Sequence, residues 1–149
     1  MRLWSAVSVV AVAAAGAVTV GWQAASGDAP EVPSFASLSG AAEAQAADPD
    51  GVGSASVTID GTTLCFGITV ANIGTPIGAH IHRGLPEHNG PIVVHLAAPT
   101  SGDPGSSSGC VSVAPALAGE LQAHRERFYV NVHTGEFPGG AVRGQLFRR

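Results

Sequence analysis

The chain predicts an all-β fold, a Greek-key sandwich or barrel of about eight short strands, on three observations. Apolar and polar residues alternate with a period of two through most of the sequence beyond residue 50. Turn formers are abundant, with 20 Gly and 10 Pro, and they separate the alternating runs at short intervals. Charged residues make up only 12%, too few to clothe the outer faces of several long helices.

Taken in order, the chain opens with an export signal. Arg2 precedes an uncharged stretch from Leu3 to Gly27, of which Leu3 to Val20 is almost wholly apolar. That layout predicts a secretory signal over residues 1–27. Ala24, Ala25 and Ser26 suit cleavage, and Ala15 to Ala17 compete with them. The apolar run also approaches the length that crosses a bilayer, so an uncleaved N-terminal anchor is the alternative. Residues 28–34, with Pro30 and Pro33, read as a linker, and residues 35–149 as one domain.

Phe35 to Leu38 is a candidate first strand, followed by the turn signal Asp48-Pro49-Asp50-Gly51. Ala55, Val57 and Ile59 alternate with Ser54, Ser56 and Thr58; Asp60-Gly61 then makes a turn, and Leu64, Phe66, Ile68 and Val70 alternate again. This is the clearest hairpin in the sequence. Ala79–Arg83, Ile92–Leu96, Phe128–His133 and Ala141–Phe147 are further strands. Ala97–Gly109 reads as a Gly, Ser and Pro loop, and Ala116–His124 as a short helix.

The two cysteines, Cys65 and Cys110, are expected to pair, because an even number in an exported chain favours a disulfide. Two buried thiols are the other reading. Each cysteine lies on the parity opposite its strand's apolar residues, so a bridge would tie strands at a sheet face or edge. It would close a loop of about 46 residues and restrict the unfolded chain by roughly 3 to 4 kcal/mol in the entropic model.

Charge narrows the partners. Beyond residue 27 there are no lysines, six arginines (the seven basic residues less Arg2) and eleven acidic residues, a net charge of −5 with His neutral. Nucleic acid and anionic membrane surfaces are therefore excluded as partners, the only membrane link being an uncleaved N-terminal segment. No nucleophile elbow or other serine or cysteine constellation supports hydrolysis.

The six histidines sort by strand parity. His80 and His82, at i and i+2, leave one face of a strand while Ala79 and Ile81 leave the other. That spacing suits chelation of zinc or copper. His133 shares a face with Tyr129 and Asn131, opposite Phe128, Val130 and Val132. His95 is a fourth candidate, on a strand whose Ile92, Val94 and Leu96 point inward. His88 and His124 read as solvated. In the metal-free reading, His80, His82 and His133 form a hydrogen-bonded cluster with Asn131 and Arg143 that fixes strand pairing.

Several segments together resemble the CHRD (chordin) domain: Leu38-Ser39-Gly40, Asp48 to Ile59, Leu64-Cys65-Phe66, Ala79-His80-Ile81-His82-Arg83-Gly84, Asn89-Gly90-Pro91-Ile92-Val93, Phe128-Tyr129-Val130-Asn131-Val132-His133-Thr134 and Gly139-Gly140-Ala141-Val142-Arg143-Gly144-Gln145-Leu146. They run in the family's order over about Phe35 to Phe147. The resemblance implies an extracellular β domain and places the family's motif histidines on His80, His82 and His133, leaving His95 outside. The growth-factor binding of chordin does not carry over, since the accompanying cysteine-rich modules are missing here. A more distant likeness is to copper/zinc superoxide dismutases, also Greek-key proteins with a His-x-His pair. The histidine and aspartate set of their zinc subsite has no counterpart, and lysine steering is replaced at most by Arg143.

The sequence therefore favours a secreted or extracellular binding or structural module over an enzyme. Its polar face of His80, His82, Asn131, His133 and Arg143 would dock an extracellular ligand, a metal such as copper or zinc, or a protein, with Arg83, Glu87 and Leu85 to Gly90 shaping the rim. The alternative is a copper-dependent redox enzyme resembling superoxide dismutase.

Overall fold

A computed structural model describes residues 32–148; the expected signal, and the linker up to residue 31, lie outside the described residues. Nine strands form one antiparallel, nearly closed barrel, as the alternation predicts: β1 (Ser34–Ser39), β2 (Val52–Asp60), β3 (Thr63–Ala71), β4 (Pro76–Arg83), β5 (Ile92–Leu96), β6 (Gly105–Ser112), β7 (Phe128–Thr134), β8 (Val142–Gln145) and β9 (Phe147–Arg148). Their order is β5-β4-β7-β8-β1-β2-β3-β6, with β9 also on β1. The connections β3 to β4, β5 to β6 and β6 to β7 join strands that are not hydrogen-bonded neighbours, which are the crossovers of a Greek key.

The inward parity supplies the core. Val57, Leu64, Ile68, Ile81, Val130 and Val132 are each at most 2% exposed. One helix, α1 (Pro115–Ala123), starts on a proline whose missing N–H costs nothing at that position, and it turns Ala118 and Leu121 into the core. Just beyond it, Arg125 donates from Nη1 to Ser34 Oγ at 2.7 Å and from Nη2 to Gln122 O at 2.8 Å, anchoring the start of β1.

Four expectations are corrected. The hairpin loop is Gly61-Thr62, because Asp60 still pairs with Thr63; Gly61 takes the positive φ of 55° that the tight turn needs. The segment expected as a loop up to Gly109 becomes strand from Gly105, paired with β3 throughout. Its core-side residues are too small to show alternation, and the Phe66 ring lies across from Gly109, its nearest atoms 3.3 and 3.4 Å from where a Cβ would stand. Ala141–Phe147 divides at Leu146, whose N–H bonds to Phe128 O. Ile92 is 43% exposed because the β4–β5 register shifts between Ile81 and His82, where Ile81 faces Val94 but His82 faces Ile92.

Cys65 and Cys110 face each other directly across β3 and β6 and form a disulfide, on the side of the sheet away from Leu64 and Phe66.

Candidate metal centre

The outer face of β4, β7 and β8 is where parity leads the histidines, but it is no open sheet surface. Both faces of β7 are buried: Phe128, Val130 and Val132 inside, and Tyr129 and Asn131 at 2% exposure outside. The cover is the segment Gly84–Gly90 after β4. Leu85 O accepts from Arg143 Nη2 at 2.7 Å, Gly84 O accepts from Gln145 Nε2 at 2.7 Å, and Gly90 N donates to Tyr129 Oη at 3.2 Å. Beneath this cover Arg143, 1% exposed, lies 3.5 Å from the Tyr129 ring centroid, and His82 stacks on the same ring at 4.8 Å and 6°.

Within this layer His80, His82 and His133 converge, with donor atoms that all lie within 4.8 Å of one another. Register explains the convergence. His80 and His82 leave β4 on one face, and β7 runs beside it with Gly78 opposite His133 and His80 opposite Asn131. Gly78 leaves the space next to its partner that the His80 and His133 rings fill; a Cβ there would stand 3.3 Å from the His80 ring.

Backbone carbonyls set the ring orientations. His82 Nδ1 lies 2.8 Å from Gly90 O, and His133 Nδ1 lies 2.9 Å from Pro138 O. Since a carbonyl only accepts, both neutral rings carry their proton on Nδ1 and turn a bare Nε2 inward. His80 Nδ1 then donates to His133 Nε2 at 3.0 Å. His82 Nε2 has no partner and is buried. Two imidazoles held through Nδ1–H on carbonyls, with Nε2 left as the acceptor atom on each, is the second-shell arrangement of metal-binding histidines. On its donor chemistry the trio fits a borderline ion.

The remaining expected residues divide. His95 faces His80 across β4 and β5, with rings 4.9 Å apart, but it is exposed and outside the converging trio. Asn131 and Arg143 face each other across β7 and β8; Asn131 Nδ2 donates to Glu43 Oε1 at 3.3 Å, while Arg143 reaches Leu85 O and no histidine. The cluster expected to join all five residues therefore has only one direct link among the histidines, His80 to His133. Arg83 is corrected as a rim residue, because its Nε donates to Glu120 Oε1 at 3.1 Å and its side chain is held against the helix. His88 and His124 are exposed, as expected. Glu43, Tyr129 and the Gly90 and Pro138 carbonyls were not singled out from the sequence; Tyr129 alone carried a signal, the parity it shares with Asn131 and His133.

Electrostatics follow burial. His80 is pushed down to about 4 from its usual 6.5, first by burial and then by His133, His82 and His95 around it. Burial also lowers His82, against the opposing pull of the Gly90 carbonyl, and raises Glu43 despite its bond from Asn131. A base whose folded pKa lies below its unfolded value contributes stability above the unfolded pKa and loses it as pH falls toward the folded one. The metal-free domain should therefore lose stability between about pH 6.5 and 4 through His80, on top of whatever its carboxylates contribute. Urea unfolding of wild type and His80→Asn at pH 7 and pH 5 checks this. A mutant that loses as much as wild type over that interval would refute it.

Compared with known families, the chain matches the model of the CHRD domain over residues 34–146. No curated protein and no solved structure matches it.

Proposed function

Because the chain belongs to the CHRD-domain family, we propose that it is an extracellular binding module whose His80, His82 and His133 hold a single zinc or copper ion. The observation that carries this reading is His82 Nε2, a buried lone pair without a partner, on a ring whose Nδ1 is held by Gly90 O. A purely structural histidine buried this deeply would be expected to find a donor for that nitrogen. An ion would supply the missing partner for His82 and, with the His80 proton moved from Nδ1 to Nε2 of that ring, would take the place of the hydrogen bond between His80 and His133. The disulfide supports an oxidising location, and no helix among the described residues is long and apolar enough to cross a membrane. Export by the N-terminal segment completes this reading.

Elemental analysis of the untagged chain, purified from the exported fraction, tests it. About one zinc or copper per chain is expected, and none in the His80→Ala, His82→Ala double variant. Wild type without metal after incubation with either ion, or a folded double variant that still binds it, would overturn the site.

A second reading rests on exposure. His80 and His133 are only half-buried, so the trio is reachable from solvent, as a copper centre that reacts directly with superoxide must be. Under this reading copper-loaded protein disproportionates superoxide and the zinc-loaded form does not. Activity no greater than that of the double variant removes the redox reading and leaves the binding module.

A further inference from the structure

Four of the five buried side-chain polar atoms without a hydrogen-bond partner among the described residues belong to one layer: His82 Nε2, Asn131 Oδ1, Arg143 Nη1 and Gln145 Oε1. Such atoms are rare in folded proteins, and grouped they point to something the layer is built to hold. Two of them, His82 Nε2 and Asn131 Oδ1, are lone-pair donors on neighbouring strands of this layer. Asn131 is 2% exposed, and its Nδ2 donates to Glu43 Oε1, so its amide sense is fixed and Oδ1 faces the other way. Across β4 and β7, His82 is the diagonal neighbour of Asn131 on the same face. The His82 proton is already on Nδ1, bound to Gly90 O, so Nε2 has nothing to donate. Two buried lone pairs of one layer are thus left without a proton to accept, which is unfavourable unless a positive centre lies there.

The strand register also puts Asn131 beside the residues that carry the other two imidazoles. His80 is the direct cross-strand partner of Asn131, and His133 lies two residues further along the same face of β7.

Building on the three-histidine reading, we propose that Asn131 Oδ1 is a fourth, oxygen donor to the ion, and that Glu43 is the positioning residue that turns this oxygen inward. Three imidazole nitrogens and one amide oxygen favour a divalent ion, zinc or cupric, over cuprous copper, which prefers softer and fewer donors. A water bridging Oδ1 and Nε2 is the competing explanation, and it predicts no dependence of metal affinity on residue 131.

The test titrates the metal-stripped, untagged chain with Zn²⁺ and with Cu²⁺ against a competing chelator, for wild type, Asn131→Ala, Asn131→Asp and Glu43→Ala. Asn131→Ala should weaken both ions at least about tenfold, and Glu43→Ala should weaken them less, since it frees the amide without removing the oxygen. Asn131→Asp, which offers an anionic oxygen at the same place, should bind at least as tightly as wild type and alter the electron paramagnetic resonance spectrum of bound Cu²⁺. Should the alanine variant fail to fold, the aspartate variant carries the test alone: unchanged affinity and an unchanged Cu²⁺ spectrum overturn the oxygen ligand. Equal affinities across wild type, Asn131→Ala and Glu43→Ala overturn it as well, while leaving the three histidines as the site. A wild-type chain that binds neither ion overturns both readings together.

Discussion

Gly90→Ala is expected to dismantle the candidate centre from its cover inward. A Cβ on Gly90 would stand 1.7 Å from Arg83 O, a backbone atom that belongs to β4 and cannot move aside without disturbing the strand that carries His80 and His82. The segment Gly84–Gly90 must therefore lift. With it would go the Gly90 carbonyl on His82 Nδ1, the Gly90 N–H on Tyr129 Oη and the Leu85 carbonyl on Arg143 Nη2. Arg143 is then a buried cation short of an acceptor, which is costly. We expect a loss of about 2 to 4 kcal/mol, the range of backbone clashes and broken buried networks. At about 4 °C per kcal/mol for a domain of this size, the melting temperature falls by roughly 8 to 16 °C. Zn²⁺ affinity should fall by about 10- to 100-fold, because His82 loses the carbonyl that orients it. Thermal melts and chelator competition on the same preparation measure both. A variant with wild-type melting and wild-type affinity would show that the cover does not hold the site.

Replacing Cys65 and Cys110 together by Ser should cost as much stability but leave the metal centre alone. The bridge spans a sequence separation of 45, and the loop-entropy model assigns about 4 kcal/mol to a closure of that length. Local structure gives a second reason to expect a large effect. β6 is an edge strand of Gly, Ser, Cys and Val that turns little apolar area inward, so its pairing with β3 depends on the covalent tie more than on packing. Hydrogen exchange should show the β6 amides losing protection first in the double serine variant. The trio of histidines lies on β4 and β7, neither of which pairs with β3 or β6, so metal affinity should change less than about twofold, since sites without shared partners are nearly independent. Stability within about 1 kcal/mol of wild type would refute the entropic estimate. A large loss of metal affinity would mean that the disulfide and the histidine site are coupled.

The contrast between these two variants follows what was legible in the sequence. Alternation placed β2, β3, β4 and β7, because a strand's side-chain period is a local property of consecutive residues. The same period put His80, His82 and His133 on a common parity, and their register across β4 and β7 then brought them together. Where the local signal was weak, the reading failed. β6 has small residues on its inner side and looked like loop, and a single register shift between Ile81 and His82 turned Ile92 outward. His95 had the parity of a ligand, yet parity does not say whether a donor atom reaches a common point, and it stands exposed outside the trio.

By itself, then, the sequence determined the all-β class, the clearest hairpin and the faces on which the three histidines lie, all through patterns of two to ten residues. Only the tertiary structure decided that this polar face is buried, that Gly90 and Pro138 hold the imidazole protons, and that Glu43 orients Asn131. The Glu43 contact joins residues 88 apart in the chain, the other two tie a strand to the loop that follows it, and a hydrogen bond leaves no periodic trace in the residues that make it.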